Sequence, residues 1–455
     1  MASQPEGRTE SAGSGDERPM TLEEQMRQDW AREFREGVDR SSLEKPLADA
    51  DTPIDQIDVS RPELYALDRW QPVFEKLRRE EPVHYCKDSV YGPFWSLTTY
   101  KPIVHVESLP DIYSSAWYNG GFTILDSTDD ETIALPMFIG MDRPEHTAQR
   151  RTVSPAFAPS EMTRLSENIR GRTGEVLDRL PIGEEFDWVD TVSIELTTQM
   201  LAILFDFPWE DRRKLTYWSD WMGDIVAALD PELGPKRGEI MWEAATYFQK
   251  LWAERKAMSE PGPDLLSMMA HSEALGDMSD RNFLGNITLL IVGGNDTTRN
   301  SMSGAVHFMT QYPEEREKLE GNPDLIRNAV SETIRKQTPL SHMRRTAMED
   351  AELFGKEIKK GDKLVLWYLS ANRDEEVFPD GDRWIVDREN ARRQLAFGYG
   401  IHRCVGARLA ELQLQILFEE LAARRLRPEV TGEPVRVLSN FVHGFKQLPV
   451  TLSRY

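Results

Sequence analysis

The sequence predicts a mainly α-helical protein with small β-sheets, an α+β chain in which helix dominates. Three observations lead to that class. Apolar residues recur at helical spacing from Ser160 to Pro313 with few breaks. Runs of β-branched and aromatic residues are confined to two regions, one between Val83 and Tyr100 and one beginning near Arg344. Helical spacing then returns from Gly406 to about Arg427, before short strands at the C-terminus.

Each element has its own reason. Met1 to about Pro19 is rich in Gly, Ser and Glu with almost nothing to bury, which predicts a disordered acidic arm over 1–19. VHYCKDSVYGPFWSLTTY, Val83 to Tyr100, reads as two strands joined by a turn at Gly92 and Pro93, with Cys86 a small buried hydrophobe in the first strand. The helical stretch breaks at Pro208 in PWE, at Asp230 to Pro235 and at Glu260 to Pro263. Between Asp280 and Pro313 nothing interrupts it, so one helix of about 48 Å is expected at ~1.5 Å per residue. ELFGKEIKKGDKLVLWYLS supplies the later strands.

Composition removes several function classes. A chain of 455 residues, 40% hydrophobic, can bury a large core. A net charge of -22 and a pI near 4.9 argue against nucleic acid or an anionic membrane as the main partner. Cys86 and Cys404 are the only cysteines, too few for a disulfide framework, and a reducing compartment is the simpler inference. No signal-like start and no apolar run near the ~20 residues of a membrane span is present, so a cytoplasmic protein is expected.

FGYGIHRCVG, Phe397 to Gly406, sets Cys404 among glycines, a histidine and an arginine, whereas inert buried cysteines prefer apolar neighbours. Gly398 and Gly400 permit positive φ and close approach to a flat ligand. Gly406 opens the helix GARLAELQLQILFEELAARR, so Cys404 lies just before a helix N-terminus, where the dipole and unpaired N–H groups favour a thiolate. That thiolate suits a nucleophile or a metal ligand. Zinc would need a second ligand at short spacing, which is missing. A nucleophile would need a base, for which His402 is a weak candidate. Haem iron needs one protein ligand.

The stretch fits F-x-x-G-x-[RH]-x-C-x-G and resembles the haem-binding loop of the cytochrome P-450 family. The resemblance implies haem b with Cys404 as axial thiolate, Phe397 beside the sulfur, Gly400 and His402 at the loop's other specified places, and Gly406 admitting the close helix start. It also implies the family's triangular prism, with a long central distal helix and a proximal cysteine loop, as one haem-enclosing domain over 20–455. Further segments follow in the family's order. SETIR resembles E-x-x-R, so Glu332 and Arg335, with Arg383 in PDGDRW, would clamp the cysteine loop; by itself such an i, i+3 pair is worth only tenths of a kcal/mol. HTAQR places His146 and Arg150 on one helix face, ready for carboxylates. The resemblance assigns both to haem propionates together with His402 and Arg345, with Arg344 competing for the last assignment.

GGNDT is a poor helix former in the middle of the long predicted helix. Paired glycines let something wide approach, and threonine hydroxyls compete for i−4 carbonyls. The segment resembles the family's [AG]-G-x-[DE]-T, with Gly293, Gly294, Asp296 and Thr297 in its places. The implied roles are a proton relay from the surface at Asp296 and, at Thr297, a hydroxyl that hydrogen-bonds the bound oxygen species and an ordered water. Leu289 and Val292 lie within one turn of Gly293, Leu340 and Met343 would approach from the opposite wall, and Leu135 to Ile139 precede the propionate helix; all are apolar.

LPMFIGMDRPEHTAQRR, TLLIVGGNDTTRNSMSG, QTPLSHMRRTA and SNFVHGFKQLP look like the soluble bacterial terminal hydroxylases of alkanes and fatty acids. The implied activity is insertion of one atom of O2 into a C–H bond of a linear apolar substrate, at the terminal methyl of a medium-chain alkane or fatty acid. Two alternatives stay open: a monooxygenase for another apolar substrate such as a terpene, and a non-catalytic haem sensor, which would not need Asp296 and Thr297. A peroxide-using relative would replace that pair. No flavin or iron–sulfur cysteine pattern follows the loop, so electrons are expected from NAD(P)H through a ferredoxin reductase and a two-iron ferredoxin. Arg392, Arg393, Arg403 and Arg408, joined by Arg150 and Arg151, would form the basic docking site.

Overall fold

Side-chain alternation pairs Val83–Cys86 (β1) with Phe94–Leu97 (β2) as the expected antiparallel hairpin, Val83 opposite Leu97 and Cys86 opposite Phe94. Gly92 supplies the positive φ of the turn. Cys86 is buried, and desolvation pushes its thiol up to about 12. The computed structural model describes residues 46–126 and 135–455, all within one compact unit. The arm expected over 1–19 lies outside the described residues.

After the hairpin come helix α1 (Tyr100–Ser108), strand β3 (Tyr113–Ser114), α2 (Glu145–Val153) and α3 (Pro159–Asp178). Strand β4 (Glu185–Asp187) departs from the helical reading of that region. It forms by pairing with the C-terminal strand, Phe186 opposite Val450, and no local period announces so distant a partner. Helices α4 (Glu195–Phe205), α5 (Arg213–Gly223) and α6 (Leu233–Lys256) follow, separated where Pro208 and the Asp230 turn fall.

Helix α7 (Asp280–Gln311) is the single long helix that the sequence predicts. Ser279 caps it by accepting the Asn282 N–H, and Pro313 cannot continue it. It packs against α4, α5, α6, α8 (Ile326–Gln337) and α9 (Ala407–Ala423), so one rod touches most of the helical core. Helix α9 stops short of the expected Arg427, because Arg425 takes positive φ and Leu426–Val430 leaves as a strand.

The largest sheet runs β1-β2-β6-β5-β3, where β5 is Met343–Ala347 and β6 is Lys363–Leu366. β2 and β6 are parallel and β5 and β6 antiparallel, with Arg345 opposite Leu364. Alternation along β5 puts Met343 and Arg345 on one face and Arg344 on the other. Among the described residues no helix is long and apolar enough to cross a membrane.

Candidate active site

Phe397 to Gly406 folds as a tight loop leading into α9. Gly398 and Gly400 both take positive φ, and a Cβ on Gly400 would stand 2.3 Å from the Glu107 carbonyl oxygen of α1, so that position requires glycine. The Cys404 N–H donates to the Phe397 carbonyl at 2.8 Å, closing the loop. Cys404 is exposed by surface area yet crowded by protein; both hold because the surface it presents is the wall of an internal cavity. Burial raises its thiol pKa, while the Gly406 N–H and the charges of Arg150 and Arg403 oppose that rise.

Beside the loop lies a cluster of donors. The rings of His146 on α2 and His402 stand 4.4 Å apart. Both nitrogens of His146, and Nδ1 of His402, are buried without hydrogen-bond partners. Burial, followed by nearby arginines, lowers His146 to about 4 and holds His402 well below its ordinary value, so both are neutral at pH 7. Arg150 reaches the Arg403 carbonyl and lines the same cavity as Arg345 and His402. Arg344 does not compete: its guanidinium turns to Asp126 at 2.7 Å and crosses Gly120, on the other face of β5.

Across the cavity runs α7. An added Cβ at Gly293 would meet no protein atom within 4 Å, so this notch opens on the cavity, whereas Gly294 packs against Leu201 of α4. Thr297 lines the cavity and donates its hydroxyl to the Gly293 carbonyl at 2.8 Å. Asp296 points the other way, into α5. Its Oδ1 accepts from Ser219 Oγ at 2.9 Å, Asn295 Nδ2 at 3.1 Å and Arg299 Nη2 at 3.0 Å, and Arg299 pairs onward with Asp220 at 2.8 Å. Burial pushes Asp296 above the usual carboxylate range, opposed by Arg299. Ile139, Leu289, Val292, Leu340 and Met343 all line the cavity.

Residues 89–427 match the family model for cytochrome P450. The chain belongs to the cytochrome P450 family. It is 38% identical to linalool 8-monooxygenase of Pseudomonas putida, over 87% of this chain and 98% of that one. It is 33% identical to the methyl-branched lipid omega-hydroxylase of Mycobacterium tuberculosis, over 88% and 97% of the two chains. The solved structure of cytochrome P450-153 from Novosphingobium aromaticivorans superposes with a TM-score of 0.83 at 57% identity, covering 87% of this chain and 99% of that one.

Membership brings a haem-thiolate cofactor, and the residues here fit it. A cysteine in the cavity wall faces a helix with an open glycine notch, and buried neutral imidazoles with unpartnered nitrogens stand beside two arginines, a donor set suited to the paired carboxylates of haem. The P450 clamp requires one correction. Glu332 and Arg335 are fully buried and pair as expected, at 2.7 Å, but the third member is Arg388, whose Nε donates to both Glu332 oxygens at 3.1 Å. Arg383 contributes its carbonyl to Arg335, while its side chain turns out to a half-exposed pair with Glu314.

Sequence reasoning missed Glu107. This buried carboxylate on α1 accepts from Arg345 at 3.0 Å, from the Tyr368 hydroxyl at 2.7 Å and from the Tyr399 N–H at 2.9 Å, joining α1, β5 and the cysteine loop. It also missed Met222, Met241 and Phe441 in the cavity wall.

Proposed function

We propose that this P450 monooxygenase hydroxylates linear apolar substrates at a terminal methyl, medium-chain alkanes or fatty acids, with Cys404 as iron ligand and His146, Arg150, Arg345 and His402 as propionate partners. The observation that carries the reading is the apolar cavity between Cys404 and α7, where Gly293 leaves room and Leu289, Val292, Leu340 and Met343 present apolar side chains. One atom of O2 enters the C–H bond; the other leaves as water, taking two protons and two electrons. Haem, when bound, supplies the activation of oxygen.

The chain's part is to position the substrate and to hold and deliver protons. Apolar walls keep bulk water from the reacting carbon. Thr297 presents its hydroxyl at the cavity, one turn from the Gly293 notch. Asp296, its pKa raised by burial, keeps a proton closer to neutral pH than an ordinary aspartate does. Arg299 links it to Asp220, whose side chain is 25% exposed. Arg299 between them never deprotonates, so it tethers both carboxylates rather than passing protons. Arg392, Arg393, Arg403 and Arg408 are exposed around the loop and suit an acidic two-iron ferredoxin, reduced by NAD(P)H through its reductase.

A second reading, an acyclic terpenoid substrate, is favoured by the relative named for linalool. Product analysis with a medium-chain alkane, the matching fatty acid and linalool separates the two. Terminal alcohols from the linear substrates are the expected result. Internal alcohols, or turnover of linalool alone, would reject the terminal-hydroxylase reading and leave the monooxygenase intact. Changing Leu340 to Ala should raise internal attack, a change in fit worth ~1–3 kcal/mol in an apolar pocket.

A further inference from the structure

A hydroxyl on the cavity wall stands without a partner. Thr288 on α7 is 7% exposed, lines the cavity, and its Oγ1 is buried without a hydrogen-bond partner. Helical threonines usually return the hydroxyl to the carbonyl four residues earlier, as Thr297 does to Gly293 and Thr310 to Val306. Thr288 makes no such bond. Its neighbours Leu289 and Leu290 line the same cavity with hydrocarbon, so nothing adjacent in the chain satisfies it. A buried unpaired hydroxyl is destabilising, and a bound molecule that supplies the missing partner recovers that loss. Thr288 lies five residues from Gly293, ~7.5 Å along the helix axis, a distance that a medium-length carbon chain covers.

The chemistry of the partner can be narrowed. Arg237 on α6 also lines the cavity, 6% exposed, but its Nε and Nη2 hold the Trp221 and Met222 carbonyls at 3.1 and 2.9 Å, and its guanidinium makes no hydrogen bond to the Thr288 hydroxyl. A charged carboxylate buried beside Thr288 would need a cation directed at it. A neutral oxygen needs one hydrogen bond, which a hydroxyl can donate or accept.

We propose that Thr288 is a polar subsite for a neutral oxygen function, an alcohol or carbonyl, carried by a linear substrate whose far methyl is the carbon oxidised. The proposal rests on the terminal-hydroxylase reading and adds that chains bearing a neutral oxygen at the far end are substrates beside alkanes and fatty acids.

The test measures calorimetric affinities of the holoenzyme for n-octane, 1-octanol and octanoate, with product analysis alongside. Thr288→Val, nearly isosteric, should weaken 1-octanol by about 2- to 12-fold, the range of one net hydrogen bond, and leave n-octane unchanged. Thr288→Ser should hold the alcohol at the unmodified affinity, and 1-octanol should give the α,ω-diol. Equal effects of Thr288→Val on alcohol and alkane, no effect on either, or an effect on octanoate alone would each overturn the subsite. If the unmodified enzyme hydroxylates n-octane terminally while the alcohol is insensitive to Thr288→Val, the subsite fails and the proposed function stands. If it binds none of the three probes, the linear-substrate reading fails and the subsite with it.

Discussion

Arg388 and Arg383 lie five residues apart, yet their removal should differ several-fold in consequence. Arg388→Met removes a guanidinium whose side chain is 5% exposed and which donates to both oxygens of Glu332, to the Pro379 carbonyl and to the Asp380 carbonyl. Truncating one partner of a buried ion pair costs ~3–5 kcal/mol, chiefly through the charge left behind. Here Glu332 retains Arg335, which sets the expectation at the lower end, about 3 kcal/mol. Arg383→Met breaks a pair whose members are 53% and 52% exposed, and an exposed pair is worth ~0–1 kcal/mol. Equilibrium unfolding of the holoprotein in urea, followed by tryptophan fluorescence with haem retention recorded in parallel, measures both. A loss for Arg383→Met equal to or larger than that for Arg388→Met would refute the assignment of the clamp.

Cys404→Ser should abolish the far red-shifted Soret band of the reduced, carbon-monoxide-bound protein, and Cys86→Ser should keep it, since Cys86 is buried in β1. Thr297→Ala should divert reducing equivalents to peroxide, measured as the ratio of product to peroxide, and Asp296→Asn should slow turnover ~10²–10⁴-fold. Because burial raises the Asp296 pKa in the folded state, its protonated form contributes stability at pH below the ordinary aspartate value, and that contribution is lost as pH rises through the raised value. Asp296→Asn should flatten this decline in pH-dependent urea melts. Charge reversal at the exposed Arg392 and Arg393 should slow ferredoxin-driven turnover, most at low salt, and spare a peroxide-driven reaction; equal damage to both would mean that these residues hold the fold.

How much of this could be read from the chain depended on whether the signal was local. The cysteine loop declares itself because glycine, cysteine and helix start fall within ten residues. Helix α7 declares itself by an unbroken period between a serine cap and a proline. The choice of Arg345 over Arg344 stayed open in the sequence and was settled by the strand, whose alternation puts Arg345 on the face of Met343 and turns Arg344 to Asp126. Arg388 was not legible, because the segment from Asn372 to Phe397 has little periodicity and either arginine could reach Glu332. Glu107 is one acid on a short helix, 238 residues from the arginine it holds, and nothing near it in sequence marks it. Met222 and Met241 sit at helical spacings that look alike whether they face a packed core or a cavity. The strand at Glu185–Asp187 exists only through its partner near the C-terminus.

Strand β5 carries Met343 and Arg345 two residues apart on one face, both against the cavity, with Glu107 pinning the arginine. With Arg345 as the proposed propionate partner and Met343 as a proposed substrate contact, cofactor anchorage and substrate shape share a single mechanical part. Libraries that vary what packs behind this strand will move the electrostatic surroundings of the macrocycle together with the pocket outline, and altered selectivity will arrive with altered reduction behaviour. Leu340 and Phe441 line the same cavity outside the strand, so they offer an engineer a dial for shape that leaves the electronic setting where it was.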